Sequence, residues 1–484
     1  MRQALHIFRK DVRHMTPELA MYGGLLVAFA VVTPLLWPGS GSHSEMLSMF
    51  AMLLMFLLVV SWLVLVTRLV HEESLVGDRQ FWVTRPYRWT SLLGAKLLFV
   101  ALCIVAPFAI VEISLVLRAG LELWPALPGL LLNLMYFVLV VLLPFTLLAT
   151  MTGMISRTFL ALTILVVGWA GIFALVDNFT TPRMMPPFIF ETFSIVVAGL
   201  LASLLIYQYA MRHTQRTWRM FLLTTVFYFV LYFCCRGTGM GGLANALMRV
   251  HYPEANGGTV SLAFVPGPFA PAYRETPGED LVPLNLPVHY QDADKAARVQ
   301  DARVSFTIDG LGYHYESPWL SMAVAADDLT ILVPAAVFQR VRGSEMRLHL
   351  SVAAERLLPG PAETVEANDR FRVPDHGVCV LAKGNFIENN MFCRYPGDGP
   401  EPTRITGAIT PGKCTDGHPT REAAAVIHPL NGGTRVDPVL QIVPQLGGAV
   451  CAGTKLTFTP YRSAGNVRLE LDLPSLVLGQ YIAH

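Results

Sequence analysis

Four of the seven cysteines stand in the C-terminal half of the chain, at Cys379, Cys393, Cys414 and Cys451. On the oxidising side of a membrane an even set of thiols in a water-soluble domain closes up to two disulfides. On the reducing side the same residues stay free thiols. Metal chemistry is the weaker reading. No C-x-x-C pair occurs, and neither His376 with Cys379 nor Cys414 with His418 has a zinc-finger spacing. The 13 histidines are scattered. H-E-x-x-H, G-x-S-x-G and the Walker A phosphate loop are all missing from the sequence. The nearest approach to the last, Gly448 to Lys455, has an extra residue before its lysine and runs into a strand pattern instead of a helix. Nothing in the residues argues for an enzyme, for a resident metal or for a cofactor bound by this chain.

Two polar side chains interrupt stretches that are otherwise apolar, Glu112 and Asn133. A polar group inside a bilayer is costly unless it is used or paired. Both are candidates for the lining of an intramembrane path. The plainer alternative is a helix–helix contact, or for Glu112 a carboxylate that reaches the outer face. Gly23-Gly24 reads as a helix-packing position, and Pro34 and Pro107 read as kinks.

The richest polar segment reads Arg68-Leu-Val-His71-Glu72-Glu73-Ser-Leu-Val-Gly77-Asp78-Arg79-Gln-Phe81-Trp82-Val-Thr84-Arg85-Pro86-Tyr87-Arg88. Charges of both signs, a glycine break and an exposed Phe-Trp pair suit a docking element for a partner protein. A connector whose aromatics sit in the headgroup layer has the same composition.

What holds these residues in place is a set of apolar runs confined to the first half of the chain. They lie at roughly 19–37, 46–69, 92–117, 126–151, 158–176, 192–211 and 219–236. About 20 apolar residues span the hydrocarbon core as a helix, so the N-terminal half is expected to be a polytopic α-helical membrane domain of about seven helices. The seventh run is the shortest; if it only lies on the surface, the C-terminal domain changes sides. Residues 1–18 read as an amphipathic interfacial helix, with Leu5, Phe8, Val12 and Met15 on one face among basic neighbours. With the N-terminus cytoplasmic, 13 Lys and Arg fall on inside segments and three, Arg118, Arg183 and Arg236, on outside flanks. That bias gives the orientation, a multi-pass protein of the cell membrane with its C-terminal domain extracytoplasmic. Residues 1–250 carry 17 Lys and Arg against 10 Asp and Glu, and residues 251–484 carry 19 against 25. Neither half has the dense basic face of a nucleic-acid binder.

The membrane domain, 19–236, is followed by a Gly/Pro-rich connector, 237–290, expected to run extended where it is proline-rich, and by a β-rich domain, 291–484. Apolar residues alternate with polar ones at Val304, Phe306 and Ile308, at Met346, Leu348, Leu350 and Val352, and at Val467, Leu469, Leu471 and Leu473. Period-two alternation means strands with one buried face. Lys455–Tyr461, a turn at Gly465-Asn466 and the strand from Val467 read as a hairpin, and the whole as an antiparallel, β-sandwich-like domain.

One pattern in the polar segment resembles a family. Glu73, Gly77, Phe81, Thr84, Pro86 and Arg88, followed by Leu93, Gly94 and Lys96, resemble the permeases of ABC-2-type exporters, and Leu5 to Asp11 is similar to that family's start. The resemblance covers residues 1–236. It implies a coupling loop made of Glu72, Glu73, Gly77, Asp78, Phe81, Trp82, Thr84, Arg85, Pro86 and Arg88 that docks on a separate cytoplasmic ATPase subunit. It implies a permease dimer, homo- or heteromeric, in the lipid bilayer, with ATP and Mg on the partner. A seventh span and an outer domain depart from the family's usual six spans. The competing expectation is a membrane-anchored receptor or scaffold whose β domain binds a ligand or partner; the number of spans argues against it, since anchoring needs one.

Overall fold

The computed structural model describes the chain apart from residue 1 and segments 38–44, 73–87, 180–186, 237–240, 255–259, 265–280, 287, 293–296, 309–311, 318, 322–328, 374–376, 382–390, 397–402, 410–420, 428–437, 445, 447–449 and 482–484; some helices and strands are described by backbone alone. Six helices among the described residues are long and apolar enough to cross a membrane: Thr16–Leu36, Met46–His71, Trp89–Arg118, Leu123–Met151, Ile155–Ile172 and Thr192–Met211. They are spans one to six below. The seventh apolar run lies on a continuous 23-residue helix, Thr214–Arg236. The stretch expected to be an extended connector contains a helix, Gly241–His251, and several strands.

The strands are β1 (Val260–Phe264), β2 (Leu281–Leu286), β3 (Val288–Asp292), β4 (Ala297–Ile308), β5 (Tyr313–Glu316), β6 (Leu320–Ser321), β7 (Leu329–Pro334), β8 (Glu345–Pro359), β9 (Glu363–Glu366), β10 (Arg370–Val373), β11 (Gly377–Leu381), β12 (Met391–Pro396), β13 (Thr403–Ile409), β14 (Arg421–Ile427), β15 (Val439–Ile442) and β16 (Lys455–Val477). All their pairings are antiparallel. The chain falls into two compact units. One is Met1–Val167, Ser194–Thr225 and Pro361–Pro460; the other is Gly168–Phe193, Val226–Gly360 and Tyr461–His484.

In the first unit the N-terminal helix, Arg2–His14, buries Ile7 and Asp11, and Met15 follows just past its end. That spacing of four marks one helical stripe, and the stripe packs into the bundle. Leu5, expected on the apolar face, is exposed instead. The bundle core is aromatic: the rings of Trp62, Phe108 and Phe137 lie 4.5 to 5.5 Å apart by centroid. Spans three and four each contain a π-helical turn, Val100–Val105 and Phe137–Leu142. Each runs into a proline, Pro107 and Pro144, near the start of the next helical segment. Proline supplies no N–H and crowds the carbonyl four residues back, and a widened turn absorbs both effects. At Gly23 and Gly24 an added methyl group would meet nothing within 4 Å, so close helix packing does not explain them. The strands of this unit form the sheet β10–β11–β12–β15 and the ladder of β14, β13 and the start of β16, with β9 alongside. Their common core includes Phe371, Cys379, Cys393, Tyr395, Ile405 and Phe458.

In the second unit the long strands β4 and β8 pair through most of their length, with β5 and the later part of β16 on either side. The alternation read from the sequence holds. Val304, Phe306, Ile308, Met346, Leu348, Leu350, Val352, Val467, Leu469 and Leu473 are buried in one core, with Leu471 packed at its margin. The expected hairpin is a correction. β16 is one strand, and its 461–477 portion pairs with β8 on both sides of Gly465-Asn466. The register shifts there as at a β-bulge, with Gly465 at φ +106°. A turn would have reversed the chain, whereas a bulge bends it and leaves its partner the same.

Candidate functional site

Of the coupling-loop residues, Glu73, Gly77, Asp78, Phe81, Trp82, Thr84, Arg85 and Pro86 lie outside the described residues; Glu72 and Arg88, its two flanks, are described. Glu72 follows directly on span two. Arg88 is extended and precedes the first turn of span three, where its carbonyl accepts from the Ser91 and Leu92 amides.

A layer of polar contacts ties Glu72 and the two adjoining spans to the rest of the bundle. His14 Nε2 lies 2.9 Å from Glu72 Oε1, which links the N-terminal helix to the end of span two. Arg68 donates to Glu18, joining spans two and one. Lys96 Nζ donates to Asp11 Oδ2 at 2.8 Å, joining span three to the N-terminal helix. Their side chains are 3% and 0% exposed. Two charges hidden from water are tolerated only as a well-made pair. His71 Nε2 sits 3.0 Å from the Ala149 carbonyl and 3.4 Å from Thr152 Oγ1. Thr152 is extended and ends span four, and its hydroxyl meets that of Thr158 in span five at 2.5 Å. Gln208 in span six donates to the Thr150 carbonyl at 3.3 Å and to Thr214 at 3.1 Å, and accepts from Thr217 at 2.6 Å. Trp218 Nε1 donates to the Met151 carbonyl at 3.2 Å.

This layer touches one end of every span, Glu72 at one flank of segment 73–87, and span three, which follows the other flank. Asp11, His14, Glu18, Arg68, His71, Lys96, Thr152 and Gln208 were not picked out by sequence reasoning as one constellation. The available signal was weak: these are polar residues in the N-terminal helix or near the ends of apolar runs, and the ion-pair partners are far apart in sequence.

Glu112 and Asn133 are both buried, at 1% and 3% exposure, in spans three and four. Cys379 and Cys393 stand directly opposite each other on β11 and β12 and form a disulfide. Cys451 is also disulfide-bonded, and Cys414 lies outside the described residues. Cys103, in span three, is a free thiol.

The second unit carries a polar row on the outer face of its sheet. His349 Nδ1 lies 2.7 Å from Asp472 Oδ1, and Ser351 Oγ lies 3.4 Å from His349 Nε2. A hydrolytic relay needs a reachable serine and a sheltered carboxylate. Here Ser351 is 5% exposed and the Asp472 side chain is 83% exposed, so the row reads as cross-strand pairing. Arg303 alongside pairs with Glu316, and burial first, then the charge of Arg249, push its guanidinium below its ordinary range. Among the described residues no group of three His, Cys, Asp or Glu side chains converges as a metal site. Comparison with protein-family models, curated proteins and solved structures finds no match to this chain.

Proposed function

We infer that this chain is the membrane-spanning permease subunit of an ATP-driven exporter of the ABC-2 type, working with ATPase chains that dock at segment 73–87. The observation that carries the reading is the polar layer around that segment: His14 on Glu72, Arg68 on Glu18, and Asp11 on Lys96. A loop that only crossed between two helices would not need both adjoining helices, spans two and three, fastened to the N-terminal helix and span one. A loop that receives a push does, because force passes only through parts that are held. In this reading two copies of the chain pair in the bilayer with the N-terminus and the loop cytoplasmic and the β domain outside. ATP and Mg bind the partner chains, whose closure moves the loop and rocks the spans.

The test is co-purification with a cytoplasmic ATPase that carries Walker A and signature motifs. Wild type should retain it; Glu73→Arg and Gly77→Pro should lose most of it while still inserting in the membrane. Equal recovery with all three chains, or no ATPase retained by any, overturns the proposal.

A further inference from the structure

Span three starts at one flank of segment 73–87 and ends in a tight turn at 119–122. Within the first unit, β10 holds that turn and β12 reaches the end of span one. Arg370 donates to the Ala119 carbonyl at 3.3 Å and Arg372 to the Gly120 carbonyl at 3.4 Å. Arg372 also pairs with Glu122 at 3.2 Å. The Arg394 guanidinium lies over the Trp37 ring, 4.9 Å from its centroid, at the end of span one. The chemistry fits the place. The last carbonyls of a helix lack partners and carry its negative dipole end, so guanidinium donors are the favoured cap.

The backbone is shaped for this contact. Gly120 has φ +83°, and a Cβ there would lie 2.5 Å from Arg370 Nη2, so the guanidinium occupies the space of a side chain. Gly377, at φ +117°, brings β11 close to Leu121. Beneath the arginines lies an apolar floor of Trp37, Leu115, Ala119, Leu121, Ala126 and Val439. Span three itself is braced along its length. Lys96 holds Asp11, the Tyr22 hydroxyl donates to the Ile104 carbonyl in the π turn at 2.9 Å, and Phe99, Ile104 and Leu115 are fully enclosed.

We propose that span three is a connecting rod: displacement of its first turn at 88–92 travels along it, and the grip of Arg370 and Arg372 on the 119–122 turn and of Arg394 on Trp37 carries the β9–β15 module along. The rod is about 45 Å long for its 30 residues, at about 1.5 Å each. The proposal rests on the exporter reading only for what sets that first turn moving.

The link is tested without any ATPase, by hydrogen exchange of the full chain in lipid nanodiscs. Asp11→Asn with Lys96→Met loosens the cytoplasmic end of the rod without leaving a lone buried charge. Exchange at 370–373 and 391–396 should then rise about fivefold or more, the lower range of coupling between sites. Gln208→Leu, which disturbs the same polar layer away from span three, should leave those strands unchanged. Coupling is reciprocal, so Gly120→Ala or Arg394→Ala should loosen 89–96, and these serve if the first variant does not fold. Unchanged strands beside a loosened 89–96, or transmission that survives Arg372→Ala with Arg394→Ala, overturns the rod. A failed ATPase co-purification with a positive exchange result would sink the exporter reading and leave the rod standing.

Discussion

Asp11 and Lys96 show what a single pair contributes and what sequence hides. Each is visible in the sequence as a charge, Asp11 among basic residues and Lys96 at the start of an apolar run. That they meet, 85 positions apart, follows from packing of the N-terminal helix on span three. The pairing also explains why the buried stripe of that helix passes through an acidic residue, while Phe8, Val12 and Met15 pack on the bundle as their spacing implies and Leu5 stays outside. Removing one partner strands a buried charge, which costs about 3–5 kcal/mol, while removing both is close to neutral. Lys96→Met is therefore expected to lower the melting temperature in nanodiscs strongly, and Asp11→Asn added to it to restore most of the loss. Equal melting of the single and double variants would mean that the two groups do not depend on each other. Glu112 and Asn133 were legible as costly positions, and both are enclosed.

At the scale of elements, local periodicity was readable and long-range pairing was not. The alternating residues of β4 and β8 fell on the buried face because a strand's period of two is a property of the strand alone. Gly465-Asn466 misled because a turn and a bulge use the same residues, and only the partner strand tells them apart. The π turns were half legible: Pro107 signalled a disturbed helix, but not that the helix would widen instead of kinking. Two glycines separate conformational from steric demand. Gly465 has φ +106° with nothing within 4 Å of a Cβ, so Gly465→Ala should cost only the left-handed penalty, about 1–2 kcal/mol. Gly377 has φ +117°, and its Cβ would run into the Arg394 carbonyl oxygen, so Gly377→Ala should cost distinctly more. Denaturant midpoints of the two variants against wild type decide this. A Gly465 variant as damaged as the Gly377 one would show that the bulge is held by more than its backbone angle.

For the whole molecule, we propose the side of the membrane on which the β9–β15 module lies by parity, taking each long apolar helix as one crossing. The module holds the 119–122 turn through Arg370 and Arg372. Spans four, five and six follow that turn and amount to three crossings. Three crossings leave the chain on the opposite side from the turn, yet Pro361–Pro460 must return to it. On that count one more crossing is required, and Thr214–Arg236 is the next helix along the chain. Its 23 residues extend about 34 Å at about 1.5 Å each, enough for a hydrocarbon core of about 30 Å. The apolar run alone was too short to settle the point, because the polar first turns that complete the helix do not register as hydropathy. In the exporter reading, a cytoplasmic 73–87 puts the turn, and the module with it, outside, as the positive-inside bias also has it. Cysteines placed at the exposed positions Arg9 and Asn368 should therefore react with an impermeant maleimide from opposite faces of sealed vesicles, with the unsubstituted chain as background. Reaction of both from one face would mean that Thr214–Arg236 does not cross, and that the module cannot hold the turn at the end of span three.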